Sequence, residues 1–481
     1  MKKLSRREFL QLSALAAAGS LLAACAKKPT EAPVEKPAEE PEEKPVEKPA
    51  EEEAAKVTIM WRTSATENPM LDALVAKWAE KRSDIVVEPI YVPWDEFEPK
   101  LMTMYAGEIA PDIYGTGGTN PWVERVYRGM VKELDPYTSQ DAELVDDLHE
   151  VGVKSYTIAG KLIAMPLCLC PAAVSINATR FDEVDVDYPP CDWSSSGWTW
   201  DEMIEAATKL TVDNEGDGKV DVYGLNLGHA TPWTYTRLWG QDLVSDEDYA
   251  SGILHKWQTD KPEVYDAAVA GLQARADAIY VHNVTPSPET SQSLGQMGPM
   301  LKTGVIAMDF TGGWALWGDL PEEFTFRYSI NPLGGANGSG TRVKNTWVDP
   351  IQVGSQSKNP DAAWAFTRFL VADPDALDIQ IKARSVLPAV KSAFDAYIAE
   401  YSQRLDMSEE EQRTFFSGAI EQAETTVPCH ILVGWATIRD IFNGEMEPVW
   451  LGEKSAKEAV DAMIPKVNQK LEENLKELNL S

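Results

Sequence analysis

From residue 57 onward, short apolar runs alternate with stretches whose apolar positions recur at helical spacing. Val57-Thr58-Ile59-Met60-Trp61 is a run of the first kind and predicts a buried strand. Residues 69–82 carry Leu71, Leu74, Val75 and Trp78 on one stripe, which predicts an amphipathic helix. A second strand is predicted over 85–92 and a second helix over 94–106, closed by Gly107. Pro111-Asp112-Ile113-Tyr114 opens a third strand that stops in Gly115-Thr116-Gly117-Gly118. Strand alternating with helix marks an α/β layer with parallel strands. Ligands of such sheets sit beyond the carboxyl ends of the strands, which points at Trp61-Arg62-Thr63 and at residues 115–120.

The apolar stretch 162–176 is interrupted by Pro166 and Pro171. It reads as a strand that leaves one sheet for another. Trp198-Thr199-Trp200-Asp201 opens a helix running to Leu210, with Thr199 as N-cap and Glu202 three positions on. Further helices are expected over 262–281, 360–372, 408–424 and 454–477. Strands are expected over 305–310, 326–330 and 347–353, the first followed by Gly312-Gly313-Trp314.

The first 56 of the 481 residues break this pattern. Residues 1–25 combine a basic start, the twin-arginine order Ser5-Arg6-Arg7-Glu8-Phe9-Leu10, and an apolar run too short to span a bilayer. They end in Leu22-Ala23-Ala24-Cys25, which has the form of a lipobox with Cys25 as the lipidated residue. In residues 26–56, proline recurs at every fourth position from Pro29 to Pro49 among Glu, Lys and Ala. That composition builds no core and predicts a disordered, extended tether. The signal segment carries +3 and the tether −4, so the other 425 residues hold −31 of the net −32. A body this acidic excludes nucleic acid as a partner. Cys168, Cys170, Cys191 and Cys429 remain, and an exported chain permits any of three disulfide connectivities among them. Cys168 and Cys170 are expected on opposite strand faces, which disfavours pairing them with each other.

Several segments together resemble the extracellular sugar-binding lipoproteins of bacterial ABC importers, the solute-binding family related to maltose-binding protein. They are Ala110-Pro111-Asp112-Ile113-Tyr114, Gly197-Trp198-Thr199-Trp200-Asp201-Glu202, Gly304-Val305-Ile306-Ala307-Met308 with Gly312-Gly313-Trp314-Ala315, and Ser357-Lys358-Asn359-Pro360-Asp361-Ala362-Ala363-Trp364. The resemblance implies an α/β, two-lobe periplasmic-binding-protein fold of type II, with the ligand cleft between lobes joined by hinge strands. It implies an N-lobe of residues 57–166 and 343–384, a C-lobe of 167–342 and 385–481, and crossings at 167–171 and about 330–342. The partners it implies are a sugar ligand, the permease subunits of an ABC transporter and, through Cys25, the membrane. A monomer is expected. Cys168-Leu169-Cys170-Pro171 departs from the family, which usually has no cysteine pair there.

Sixteen tryptophans suit a saccharide, because indole faces bury the C–H faces of sugar rings while edge groups bond the hydroxyls. Half of them are expected to be core. Trp314 leads the candidates, since it follows Gly-Gly after a strand and the family places a sugar-stacking tryptophan in that motif. Trp61, Trp233 and Trp347 come next. The polar candidates are Thr63, Glu67, Thr116, Asp309 and Asp349, for each of which a capping or solvated role is the plain alternative. Asp213, Glu215, Asp217 and Asp221 fall at positions 1, 3, 5 and 9 of a calcium loop with Gly218 at position 6, but Gly224 stands where the bidentate Glu belongs. A structural Ca2+ or an ordinary Asp/Gly turn are the two readings. No catalytic residue is expected. A carbohydrate-active enzyme would need two carboxylates across a scissile bond; no nucleophile elbow, HExxH or Ser/His/Asp pattern is present. A binding protein for a non-sugar polyol or phosphodiester is the other alternative.

Overall fold

The computed structural model describes residues 54–115, 122–158, 160–228, 231–424 and 428–480. The expected signal segment, Cys25, nearly all of the tether and Thr116 lie outside the described residues. Twelve strands follow in chain order: β1 (Ala55–Arg62), β2 (Ile85–Val92), β3 (Ile113–Gly115), β4 (Thr157–Ile158), β5 (Lys161–Leu162), β6 (Met165–Pro171), β7 (Val174–Asn177), β8 (Tyr223–Asn226), β9 (Ile306–Asp309), β10 (Phe326–Ser329), β11 (Thr346–Val353) and β12 (Leu387–Pro388). The first begins inside the stretch read as tether, because Ala55 and Lys56 already pair with Ile85 and Val86.

The strands build a six-stranded sheet in the order β12-β6-β11-β3-β1-β2 and a four-stranded sheet in the order β10-β7-β9-β8, with β4 and β5 as a separate hairpin. β1 runs parallel to β2 and β3, as the βαβ pattern requires. β11 lies antiparallel between β3 and β6, with a register shift at Asp349/Pro350. The chain passes from the larger sheet to the smaller at Ala172 and Ala173, and returns between Ser329 and Thr346. All of β6, including 167–171, still belongs to the larger sheet. Pro171, opposite Thr346, is the last residue of β6, and the Ala172 amide beyond it still donates to Asn345 O at 2.8 Å. Leu387 and Pro388, read from sequence as part of the second lobe, also pair into the larger sheet through β6.

Helices flank both sheets. Helix Glu67–Lys81 starts two residues earlier than expected, with the Glu67 amide donating to Ser64 Oγ at 3.0 Å. The stretch 94–106 divides into a 3-10 turn, Trp94–Glu96, and helix Phe97–Ala106. Helix Trp200–Leu210 carries the expected capping box between Thr199 and Glu202. Helices Pro374–Arg384 and Trp435–Trp450 were not read from sequence. The first carries charge around much of its circumference, and the second has Pro448 in its last turn. One continuous apolar core runs beneath both sheets, and a smaller one gathers Met60, Val92, Phe97, Leu101, Tyr114 and Met130. Among the described residues no helix is long and apolar enough to cross a membrane.

Candidate functional site

The carboxyl end of β1 reaches past β3 to β11 at a closed set of charges. Arg62 Nη2 lies 2.8 Å from Glu67 Oε1 and 2.9 Å from Asp349 Oδ2. Arg384, at the end of helix Pro374–Arg384, makes ion pairs to the same two oxygens, at 3.0 and 2.9 Å. Burial alone would raise the Asp349 carboxyl, but Arg62 and Arg384 outweigh it and hold the pKa below the ordinary value. Burial opposes the charge of Arg384 too, and Glu67, Cys168 and Asp349 overcome it. Trp61 Nε1 donates to Glu67 Oε2 at 2.7 Å. Its ring takes the space that a Cβ on Gly115 would occupy, so only glycine fits there. Thr63 donates its hydroxyl to Asn68 Oδ1 at 3.0 Å.

The smaller sheet presents β9 and the loop after it. Gly312 has φ 152°, and a side chain on it would run into the Trp314 ring. Gly312 therefore leaves the space that this indole fills. Trp314 meets Trp347 edge-on, 6.4 Å between ring centroids at 68°, and Trp347 in turn lies 6.0 Å from His430. Beside Trp347 opens a small recess of about 30 Å³, lined by Ala172, Thr234, Phe310, Thr311, Asn331 and Asn345 among others. Both crossing segments contribute to it. Asp309, one residue before its wall, is buried. Burial raises its carboxyl to about 6, against the lowering effect of hydrogen bonds from Thr311 and Asn226.

A larger groove, of about 500 Å³, lies between Trp94, Glu98, Arg125 and Arg128 on one side and Trp435, Arg439 and Lys470 on the other. Trp94 stands just past the carboxyl end of β2 and is 37% exposed. The Arg62 guanidinium lies 5.7 Å over its ring. Trp435 opens helix Trp435–Trp450 and packs 5.6 Å from Trp233. Arg125 is fixed by Gln352 at 2.8 Å and by Glu98.

Of the sequence candidates, Trp347 lines the recess, Trp314 packs edge-on against Trp347, and Asp309 directly precedes the lining residue Phe310. It puts Trp61, Glu67 and Trp233 beneath the cleft surface, against the expectation that they face it: their exposures are 2%, 5% and 1%. Glu67 is occupied by its cations, and Trp233 is clamped by Trp435 and Phe442. Ten of the sixteen tryptophans are buried, more than the expected half. Trp78 packs on Phe366 and Phe369, and Trp364 stacks on Tyr137, as structural residues. The sequence reading missed Trp435, Asn331 and Asn345. The helix carrying Trp435 went unread, and an asparagine in a crossing loop carries no pattern.

Of the two readings of residues 213–221, the hydrogen bonds are those of the Asp/Gly turn. Asp213 accepts backbone amides from Gly216, Asp217 and Gly218; Asp221 accepts that of Asn214; and Asp217 pairs with Lys219 at 2.8 Å. The carboxylates cap their own turn and do not converge. Among the described residues no group of three His, Cys, Asp or Glu side chains could hold a metal ion. The four described cysteines are free thiols. Cys168 and Cys170 share a strand face, as positions two apart must, which corrects the opposite expectation. They lie close enough that Cys168 adds to the burial that raises the Cys170 thiol.

Residues 63–376 match the family model for bacterial extracellular solute-binding proteins. An uncharacterized lipoprotein of Streptomyces antibioticus is 24% identical over 308 residues; the match spans 62% of this chain and 62% of that relative's length. An ABC substrate-binding protein from Listeria monocytogenes, solved in complex with cycloalternan, superposes with a TM-score of 0.70 at 21% identity, over 87% of this chain and 99% of that one. The GacH receptor of Streptomyces glaucescens, solved unliganded and with acarbose, gives 0.67 at 20% identity, over 88% and 99%. These likenesses establish the fold, the two-lobe periplasmic-binding-protein architecture of type II.

Proposed function

We propose that this chain, a member of the bacterial extracellular solute-binding protein family, captures a mono- or oligosaccharide outside the cell and delivers it to the permease of an ABC importer by lobe closure. The observation that carries this reading is the edge-on pair Trp314–Trp347 where the chain crosses between the sheets, with Thr234, Thr311, Asn331 and Asn345 among the residues that line the recess beside Trp347. A flat indole beside neutral hydrogen-bonding groups suits a sugar ring better than a charged solute. The cycloalternan and acarbose complexes of the two similar structures support the ligand class. In this reading the lobes are residues 57–171 with 343–388 and residues 172–342 with 389–480, and ligand is held where the chain crosses between them. Cys25 carries the lipid, the twin-arginine segment directs export, and the proline-rich stretch sets the body off from the bilayer; the lipoprotein relative supports the anchor. The protein acts as a monomer and turns nothing over.

The test is calorimetry of the protein against maltose, D-tagatose, ribitol and a panel of oligosaccharides, with product analysis of each mixture. Saturable binding with the sugar recovered intact is expected. Release of a cleaved product, or binding confined to charged solutes, overturns the reading.

A further inference from the structure

Two Asn-Gly pairs occur in the chain, Asn337-Gly338 and Asn443-Gly444. In such a pair the asparagine side-chain amide is open to attack by the next main-chain nitrogen, because glycine has no side chain to block the approach. Both asparagines are exposed. The fold treats them differently. Asn443 lies in the middle of helix Trp435–Trp450. There the Gly444 amide is committed to a carbonyl one turn back, and the fixed helical torsions deny the rotation about ψ that attack requires.

Asn337 sits in the second crossing segment, between β10 and β11, inside the short turn Ala336–Gly338 and in the left-handed region at φ 53°, ψ 32°. Gly335 and Gly338 share that half of torsion space, at φ 74° and 71°. Gly334 and Gly340 complete a glycine-rich loop. The main-chain N–H of Asn337 donates to Asp201 Oδ2 at 2.8 Å. Among the described residues nothing hydrogen-bonds its side-chain amide. The Gly338 amide is held by one long turn bond, 3.2 Å to Gly335 O. An exposed loop tip of this kind opens without disturbing a core.

We propose that Asn337-Gly338 is a site of spontaneous deamidation on the crossing loop, and that the same pair at 443–444 is kept inert by its helix. The Gly338 nitrogen gives its proton to water and attacks Asn337 Cγ. The new N–Cγ bond closes a succinimide ring as the Cγ–Nδ2 bond breaks and ammonia leaves with that proton. Water then opens the ring at either carbonyl. One opening gives aspartate; the other gives isoaspartate, in which the main chain runs through Cβ. Either product places a new carboxylate near Asp201, and isoaspartate also lengthens the chain by a carbon atom. The loop has no slack for it: a Cβ on Gly338 would already stand 2.7 Å from Thr199 Cγ2. Thr199 caps helix Trp200–Leu210, so the modified loop presses on that cap. The chemistry needs only water and is independent of which solute binds.

The experiment ages the folded protein in mildly alkaline buffer, digests samples over several weeks and weighs the peptides. The peptide containing Asn337 is expected to gain the mass of an amide-to-acid exchange and to split into aspartyl and isoaspartyl forms on chromatography. The peptide containing Asn443 reacts only when its helix opens, and should lag by about tenfold or more. In concentrated urea the two pairs should react at the same rate, since the fold alone separates them. An Asn337 peptide unchanged in the folded protein overturns the proposal, and so does equal reaction of the two pairs in the folded state. Asn337→Gly keeps the main-chain N–H for Asp201 and accepts a positive φ without strain. The aged parent should melt at a lower Tm than when fresh, whereas aged Asn337→Gly should not change. Equal Tm loss in both overturns the effect on the Thr199 cap. The peptide masses need no variant, so they decide the site even if Asn337→Gly folds poorly.

Discussion

The guanidinium of Arg384 lies 4.7 Å over the ring of Trp317, and the next amide, Gly318 N, donates to the Arg384 carbonyl at 3.2 Å. Trp317 follows β9 of the smaller sheet, whereas Arg384 ends a helix packed on the larger one. Lys302 holds this strap from the other side, donating to Trp317 O at 2.5 Å and Asp319 O at 2.9 Å. The contact ties the two halves together through a stacked cation, an interaction of roughly 0.5–2 kcal/mol. Trp317→Ala should therefore shift the ligand-free protein toward a more open form. Small-angle scattering should show a larger radius of gyration, and one identical to the unaltered protein rejects the strap.

Removing the cation itself has a different consequence. Arg384→Met leaves Glu67 and Asp349 buried with Arg62 alone to neutralise them. Breaking such a buried cluster by deleting one partner destabilises by roughly 3–5 kcal/mol. Urea unfolding should show that loss. Arg384→Lys should recover only part of it, because an ammonium cannot reach both carboxylates in the guanidinium's planar geometry.

Asp309 makes stability depend on pH in the direction opposite to a salt-bridged carboxylate. Its pKa is raised to about 6 in the folded protein from the ordinary 3.8, chiefly by burial. Between those values the folded state holds a proton that the unfolded state has lost, so stability falls as pH rises through the window and the penalty is complete above it. Asp309→Asn should then be more stable than the parent by about 2–3 kcal/mol at neutral pH. Melting curves should show the two converging below pH about 4. A gap independent of pH would contradict the assignment.

Tryptophans on the cleft and beneath it should separate by readout. Trp314→Ala and Trp435→Ala are expected to weaken saccharide binding by about 1–3 kcal/mol with modest change in Tm. Trp233→Ala, which empties a packed site between Trp435 and Phe442, is expected to lower stability by roughly 3–5 kcal/mol. Calorimetry paired with thermal unfolding distinguishes the two classes, and Trp314→Ala with an unchanged Kd removes it from the site.

Calcium should leave this protein unmoved. The carboxylates of the 213–221 turn already accept backbone amides and a lysine. Unfolding midpoints in millimolar calcium and in excess chelator are expected to coincide, and a rise with calcium would show that the turn reorganises around the ion.

The strands and helices legible in the sequence are those whose local pattern agrees with their tertiary use. β11 is an apolar run because it is buried along its whole length, β2 at the sheet edge alternates buried with exposed positions, and helix Trp200–Leu210 announces itself through the Thr199 cap. Trp314 was legible for a similar reason, since two glycines after a strand mark a place where the backbone must let a ring approach. Helix Pro374–Arg384 was not, because its stability comes from packing on helix Glu67–Lys81 and not from a clean stripe of its own.

By itself, the order of residues determined the α/β class, the alternation of elements, the acidic surface and the supply of indoles, all properties of spacing and composition. Tertiary structure alone decided which indoles face outward, that Glu67 spends its charge on Arg62 and Arg384, and that Asn331 keeps one oxygen unpaired. Those depend on distances between segments far apart in the chain, and burial and pairing arise only when the two sheets close on each other.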